Sequence, residues 1–269
     1  GGSGAPTRGR LDILPTGRNF YSVDVRTVPS ETAYQLGQKS AQNIIDRYMQ
    51  ENGEYPTSIG LSVWGTSTMR TSGDDIAQAL ALIGVKPVWQ GSNRRVKDFK
   101  VLSTLELKRP RVDVMLRISG FFRDAFPDLI SLFNAAIEKV AELDETDEQN
   151  PIKKRVTEEK KQWQAEGLDD KQANERALYR VFGSKPGAYG AGLQGLIDGK
   201  NWTTSDDLAQ AYINWSGYAY SGKNNSGKSA HETFKKRLSS IEVVMQNQDN
   251  REHDILDSDD YYQFQGGMT

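Results

Sequence analysis

The sequence predicts an α/β fold, in which a short, mainly parallel sheet with flanking helices is followed by a mostly helical C-terminal half. In the first half, short apolar segments alternate with amphipathic helical segments, as in strand–helix–strand units. After residue 145, apolar residues recur at helical spacing. We therefore divide the chain into an α/β part, residues 1–145, and a helical part with an acidic and aromatic tail, residues 146–269.

The elements of the first half begin with a turn-rich segment, residues 1–28. A helix then starts at Ser30, whose side chain is suited to cap its N-terminus, and it ends at Gly53. Residues 59–64 form a short apolar, β-branched run and predict a buried strand. A polar turn, residues 65–73, is expected to follow.

The next helix is predicted to start at Asp74 and Asp75 and to end at Gly84. Residues 85–89 predict the second strand, so that 59–89 has the spacing of a βαβ unit with parallel strands. Residues 112–118 predict the third strand. A long helix follows it, with these residues at helical spacing: Phe126, Leu129, Ile130, Phe133, Ile137 and Val140. We expect three or four parallel strands.

The second half is predicted to consist of helices. Half of the residues in 151–176 are charged, which favours an exposed helical insertion. Amphipathic helices are predicted at 206–215 and 229–246. His231 lies on the apolar face of the last helix, and we expect it to be a packed core histidine.

Composition excludes several kinds of site. The chain has no Cys, which excludes disulfides, zinc ribbons, iron–sulfur clusters and thiolate nucleophiles. It has two His, at 231 and 253, so a metal site would depend mainly on carboxylates. The net charge of −2 argues against a nucleic-acid binder. No apolar run reaches the roughly 18 residues of a membrane span, so we expect no membrane span and a cytoplasmic location.

Two glycine-rich segments match nucleotide-binding patterns. Residues 222–229 match G-x-x-x-x-G-K-[ST], and residues 190–195 match G-x-G-x-x-G. Neither follows a convincing strand, because aromatic and small residues precede the first and the turn-bound segment 180–186 precedes the second. We expect the glycines at 190–195 to permit a close approach of the backbone to a ligand or a packed neighbour. A P-loop nucleotide binder stays open as an alternative.

Three arginines lie in turns, at Arg18, Arg70 and Arg123. The last two follow predicted strands, and ligands of open parallel sheets bind beyond the carboxyl ends of the strands. Guanidinium groups there would suit an anionic ligand. The alternative is that these arginines pair with neighbouring acids such as Asp74 and Asp124.

The tail at 247–264 holds six carboxylates and His253. Such a set of oxygen ligands with one imidazole could bind a divalent cation. The spacing differs from that of an EF-hand loop, and an acidic helix cap and turn is the alternative interpretation.

Several motifs together resemble the large subunits of the tetrapyrrole metal chelatases, the family that covers aerobic cobaltochelatase and magnesium chelatase. These motifs are LPTGRNFYS (14–22), WGT (64–66), RPRVD (109–113), SGFFRD (119–124) and RVFG (180–183). PGAYGAG (186–192) and the tail from 246 to 268 resemble the cobaltochelatase branch. The resemblance extends from Ala5 to Met268.

The resemblance implies a tetrapyrrole-binding large subunit of an ATP-dependent metal chelatase, a ligase that forms nitrogen–metal bonds within a multi-subunit complex. In the cobalt branch, it implies insertion of cobalt into hydrogenobyrinic acid a,c-diamide in cobalamin biosynthesis. The alternative is insertion of magnesium into protoporphyrin IX. The implied partners are AAA+ ATPase subunits, which hydrolyse the ATP, and integrin-like chelatase subunits.

The family's large subunit is several times longer than this chain, and the His/Glu-bearing segment associated with its active site lies upstream. We therefore expect a C-terminal-region fragment that is inactive on its own. A non-catalytic docking module is the alternative, in which the charged helices at 151–176 engage the AAA+ partner.

The resemblance also suggests roles for individual residues. Arginines are expected to contact carboxylates of the ring, namely Arg18, Arg70 and Arg123. Flat apolar surface for the ring is expected from Trp64, Phe121, Phe122 and Tyr189. The metal side is expected to be lined by His253, Asp257 and Asp259, with His253 and Asp257 as metal ligands. These groups could also remove the pyrrolic protons.

Overall fold

The computed structural model describes residues 24–193, 204–221 and 226–245. A 3-10 helix spans Val25–Thr27. The α-helices are α1 Glu31–Asn52, α2 Gly65–Thr71, α3 Asp74–Ile83, α4 Thr104–Leu107, α5 Gly120–Ala125, α6 Pro127–Ala141, α7 Pro151–Ala165, α8 Asp170–Leu178, α9 Ser205–Ser216 and α10 His231–Ser240. The strands are β1 Ser58–Val63, β2 Val85–Gln90, β3 Arg95–Val101, β4 Asp113–Ile118, β5 Val181–Gly183, β6 Tyr218–Ala219, β7 Lys228–Ser229 and β8 Val243–Met245. Within the described ranges, no helix is both long and apolar enough to cross a membrane.

The main sheet has the strand order β7-β6-β5-β4-β1-β8. The pairs β1–β4, β1–β8 and β4–β5 are parallel, whereas β6 is antiparallel to both β5 and β7. The predicted α/β class with a mainly parallel sheet is therefore confirmed. Strands from both sides of residue 145 form this one sheet.

Strands β1 and β4 are buried at every position, because helices cover both faces of the sheet. On one face, Leu61 and Leu116 belong to the larger apolar core, which α3 and α6 complete. On the other face, Met115 and Phe182 belong to a second apolar cluster, which includes residues of α9 and α10. The central strands are thus held rigidly between two layers.

Residues 85–89 were predicted to continue the parallel sheet, and this prediction was wrong. Strand β2 pairs antiparallel with β3 and forms a separate two-stranded sheet. The connection between them includes Gly91, whose φ of 80° allows a tight reversal of the chain. The next strand of the main sheet along the chain after β1 is therefore β4, which pairs with β1 in parallel.

Three shorter elements also differ from the predictions. The predicted polar turn at 65–73 contains α2. The predicted helix 229–246 ends at Ser240, and the β-branched run after it forms β8 at the sheet edge. The predicted turn-bound segment at 180–186 contains β5. Strands β5 and β8 are each three residues long, and their pairing with longer neighbours stabilises them.

The predicted helical insertion at 151–176 forms α7 and α8, but it is not simply exposed. Trp163 is 1% exposed. The guanidinium of Arg176 and the ammonium of Lys236 lie 5.0 and 4.1 Å from the centre of its ring. These cation–π contacts connect α7, α8 and α10.

A buried ionic network fixes these helices to the sheet. Asp113, at the start of β4, accepts hydrogen bonds from Arg180 at 2.8 Å and from Arg155 at 3.2 Å. Nearby, Arg237 pairs with Glu159. Burial alone would raise the pKa of the Asp113 carboxyl, but the two guanidiniums outweigh it, so its pKa is lowered.

Candidate functional site

A cleft of about 160 Å³ lies beyond the carboxyl ends of β1 and β4. We call it the strand-end cleft, and it is lined by Trp64, Gly65, Thr66, Ser119, Gly120, Phe121, Tyr189 and Gly190. Its walls come from the first residues of α2 and α5 and from the segment 184–190 that follows β5. This is the edge of a parallel sheet where ligands bind.

Ser119 joins the two strand ends that form the base of this cleft. Its side-chain Oγ accepts hydrogen bonds from the backbone N–H of Phe122 at 3.1 Å and of Gly65 at 3.2 Å. Its own backbone N–H donates to the carbonyl of Val63 at 3.0 Å. One side chain thus caps α5 and fixes the start of α2 against it.

Two glycines provide the space in which the aromatic walls lie. A Cβ atom on Gly65 would be 2.2 Å from Cδ1 of Phe121, and a Cβ on Gly120 would be 2.2 Å from Cδ1 of Tyr189. Both rings remain accessible, with 39% of Phe121 and 58% of Tyr189 exposed. The cleft therefore presents flat aromatic surface at the sheet edge.

The orientation of Tyr189 is fixed by its polar neighbours. Its hydroxyl donates a hydrogen bond of 2.7 Å to Oδ2 of Asp124, and the guanidinium of Arg123 lies 5.3 Å from the centre of its ring. Hydrogen bonds from Arg123 lower the pKa of Asp124, and the bond to Asp124 raises the pKa of Tyr189. At neutral pH, the pair is therefore a carboxylate and a phenol.

Two buried arginines hold the third wall of the cleft. Arg123 donates to the backbone carbonyls of Lys185 at 3.1 Å and Ala188 at 3.0 Å. Arg117 donates to the carbonyl of Gly190 at 2.8 Å. These bonds satisfy carbonyls that a loop without regular structure would otherwise leave unpaired.

The predicted substrate-binding residues differ in where they lie. Trp64 and Tyr189 line the strand-end cleft. Phe122 does not, because its ring is fully buried and packs against Phe126 with 5.4 Å between ring centres. The neighbouring ring that reaches the cleft is Phe121.

The arginines likewise take different positions. Arg123 is 6% exposed, and its guanidinium bonds to the protein itself, as the alternative interpretation expected. Arg70 is exposed and lies one helical turn beyond Thr66 on the same face of α2. Arg18 lies outside the described residues.

The predicted metal residues His253, Asp257 and Asp259 also lie outside the described residues. Among the residues that are described, no group of three or more His, Cys, Asp or Glu side chains could hold a metal ion. His231 is half-buried rather than in the core, and its ring nitrogens contact the Asn214 carbonyl at 2.9 Å and the Ser229 hydroxyl at 3.0 Å.

The described residues of the two glycine-rich segments take structural roles. A Cβ on Gly192 would be 2.5 Å from the Trp215 ring, and the indole N–H of Trp215 donates to the Gly190 carbonyl at 3.0 Å. A P-loop would require a parallel strand before it, but β6 is antiparallel to both of its neighbours. Lys228 pairs with Glu175.

Sequence reasoning missed Ser119, Arg117 and the two glycines as parts of the site. The available signal was positional, since Gly65 and Gly120 each start a helix within two residues of a buried strand end. Arg117 gave no such signal, because a charged residue inside an apolar strand does not indicate what it contacts.

Comparison with known proteins shows which family the sequence matches. The family model described as CobN/magnesium chelatase matches residues 1–269. Over 269 residues, the whole chain is 61% identical to the aerobic cobaltochelatase protein CobN of a Sinorhizobium species, and it covers 21% of that protein. Over the same length it is 34% identical to a magnesium-chelatase protein of Chlorobaculum parvum, of which it covers 20%.

A solved structure has the same fold. The catalytic subunit of cobaltochelatase from Mycobacterium tuberculosis matches with a TM-score of 0.87 and 49% sequence identity. The match covers 98% of this chain and 22% of that chain. The chain therefore spans about a fifth of the length of the relatives that it matches.

Proposed function

Since this chain belongs to the CobN/magnesium chelatase family, we propose that it is part of the tetrapyrrole-binding large subunit of a cobalt chelatase. In that subunit it contributes a site for one edge of the tetrapyrrole ring, which we call the ring-edge site. The proposed reaction is ATP-dependent insertion of cobalt into hydrogenobyrinic acid a,c-diamide in cobalamin biosynthesis, in the cytoplasm. Identity is higher with the cobaltochelatase relative than with the magnesium-chelatase relative, 61% against 34%, which favours cobalt. Magnesium insertion into protoporphyrin IX is the alternative that the second relative supports.

The observation that carries the proposal is the strand-end cleft with its aromatic walls. Aromatic rings stack on flat apolar surfaces, and Phe121 and Tyr189 present such surfaces beside Trp64. A volume of about 160 Å³ is below the roughly 300–1,000 Å³ of sites that enclose a whole drug-sized ligand. The cleft therefore takes one edge of the macrocycle, and the rest of the ring is bound elsewhere in the complete protein.

Exposed arginines beside the cleft would receive the carboxylates on the periphery of the ring. Arg70 is suited to this role because it extends the exposed face of α2 on which Thr66 lines the cleft. We keep Arg18 in the same role. Arg123 has a different one, because its bonds to the 184–188 backbone make it a positioning residue for Tyr189.

Metal insertion also requires a base for the two pyrrolic protons and a route for a partly dehydrated cation. We propose His253, Asp257 and Asp259 for these tasks, because imidazole titrates near neutral pH and carboxylates bind such cations reversibly. ATP would be hydrolysed by AAA+ partner subunits, with integrin-like subunits completing the complex.

Replacing Tyr189 by Ala is expected to weaken tetrapyrrole binding by the complete subunit about three- to tenfold, since one stacked ring is lost. Tyr189→Phe keeps the ring and should bind more tightly than Tyr189→Ala. Quenching of tryptophan fluorescence measures the affinity, because Trp64 lines the cleft. Tyr55, 40% exposed before β1 and therefore at the opposite sheet edge, provides the control Tyr55→Ala. Equal affinities of Tyr189→Ala and the unmodified subunit would contradict the proposed site.

The metal-side assignment has a separate test. His253→Ala combined with Asp257→Asn is expected to slow cobalt insertion by the reconstituted complex at least about a hundredfold, the usual scale for losing a general base. Binding of the ring should be unchanged, because the affected groups act on the metal and the pyrrolic protons. An unchanged insertion rate would remove both residues from the mechanism.

A further inference from the structure

A second concave surface shares no lining residue with the strand-end cleft. It has a volume of about 280 Å³ and is formed by β3, the 3-10 helix Val25–Thr27 and the start of α6. Its cationic members are Arg26, Arg95 and Lys97, and we call it the cationic cleft. Asp128 is the acidic residue among those that line it.

The β2–β3 hairpin that carries this surface is strongly basic. Residues 85–101 include five Lys and Arg but one acid, Asp98, whereas the whole chain has a net charge of −2. Lys86 and Lys100 lie directly opposite each other across the strand pair, and both are exposed. Like charges in this position are unfavourable unless an anion neutralises them.

Two of the cations in the cleft have no anionic partner among the described residues. Lys97 is exposed and forms no ion pair there. The Nε of Arg95 is buried and has no hydrogen-bond partner within the described ranges. A buried donor without an acceptor is unfavourable, so a movement of the half-buried Arg95 side chain that brings this donor to an oxygen ligand would be favourable. Arg26 already pairs with Asp24 at 3.0 Å.

The floor of the cationic cleft is apolar, which limits the kind of anion that fits. It is formed by Val28, Val96, Leu129 and Leu132. A phosphate or a nucleic-acid backbone would leave this floor in contact with water. One aliphatic side chain flanked by carboxylates satisfies both parts of the surface.

We propose that the cationic cleft is a docking site for an acidic segment of a partner protein. One aliphatic side chain of that segment fills the apolar floor. Its neighbouring carboxylates pair with Arg95 and Lys97, and carboxylates farther along it neutralise Lys86 and Lys100. The charge complementarity between a basic hairpin and an acidic segment carries this choice of partner.

The test uses the complete subunit and a fluorescein-labelled synthetic peptide, Asp-Glu-Asp-Leu-Asp-Glu-Asp, with binding followed by fluorescence anisotropy. We expect Arg95→Gln combined with Lys97→Gln to weaken binding at least about tenfold, and added salt to weaken binding to the unmodified subunit. The matched control is Lys39→Gln combined with Lys235→Gln, which removes two exposed charges elsewhere. This control should bind the peptide as the unmodified subunit does.

Further measurements decide between kinds of partner. Replacing the Leu of the peptide by Gly should weaken binding at least about threefold, because the apolar floor then stays unfilled. The proposal is overturned if the Arg95/Lys97 variant binds as well as the control variant, or if the Gly peptide binds as well as the Leu peptide. Tighter binding of phosphatidylserine vesicles or of single-stranded DNA at the same residues would also overturn it. Ring binding should be unchanged in the Arg95/Lys97 variant, and its loss would assign the surface to the tetrapyrrole instead.

Discussion

Replacing Asp113 by Ala is expected to lower the free energy of unfolding by about 3–5 kcal/mol, the range found when one partner of a buried ion pair is removed. Asp113 is 3% exposed and pairs with Arg180 at 2.8 Å and Arg155 at 3.2 Å. The variant leaves the Arg180 guanidinium, which is fully buried, without its counter-charge. Arg237 is also buried nearby, and because it pairs with Glu159, that carboxylate is not free to replace Asp113.

The ion pairs of Asp113 also make the free energy of unfolding depend on pH. Folding lowers the pKa of Asp113, so its contribution is present above the unfolded value of about 3.9 and is lost as the pH falls below it. Urea unfolding at neutral and acidic pH measures this. The loss of stability on acidification should therefore be smaller in Asp113→Ala than in the unmodified protein.

Asp147→Ala is the matched control, because Asp147 is exposed. It should change the free energy of unfolding by less than about 0.5 kcal/mol, as is usual for surface substitutions. Asp113→Asn keeps the shape of the side chain and one acceptor oxygen. Its free energy of unfolding should therefore lie between those of Asp113→Ala and Asp147→Ala. A urea midpoint of Asp113→Ala equal to that of the control would contradict the role assigned to the network.

The long elements could be predicted because local signals agree with the fold. Strand β1 is an apolar, β-branched run that is buried throughout. Helix α1 is capped by Ser30, whose side chain accepts a hydrogen bond from the backbone N–H of Ala33 at 3.0 Å. Strand β8 could not be predicted in this way. Its Val-Val-Met sequence continues a helical pattern, and only its register against Ile59, Gly60 and Leu61 of β1 makes it a strand.

The site was predicted in part, for a similar reason. The position of Trp64 follows from the end of a strand that the sequence identifies. Phe121 and Phe122 are adjacent on α5, about 100° apart around the helix, so the sequence does not indicate which ring faces the core. The role of Arg123 depends on the path of residues 184–188, which come from a distant part of the chain.

Replacing Gly120 by Ala is expected to weaken tetrapyrrole binding by about one to two orders of magnitude, more than the loss of the Tyr189 ring itself. The new Cβ would lie 2.2 Å from Cδ1 of Tyr189, so the ring must move away from Gly120. Because both residues line the strand-end cleft, the displaced ring occupies space that the ligand needs. The variant therefore removes a stacking surface and also narrows the cleft.

This effect can be separated from a loss of folding. Gly120 is the first residue of α5, where alanine is a better helix former than glycine by about 0.5–1 kcal/mol, so overall stability should change little. The decisive variant combines Gly120→Ala with Tyr189→Ala. Once the displaced ring is absent, the affinity should rise from that of Gly120→Ala to that of Tyr189→Ala alone, as measured by fluorescence titration of the complete subunit. Additive losses would instead mean that Gly120 affects binding independently of Tyr189, and displacement of the Tyr189 ring would not be the cause of the weaker binding.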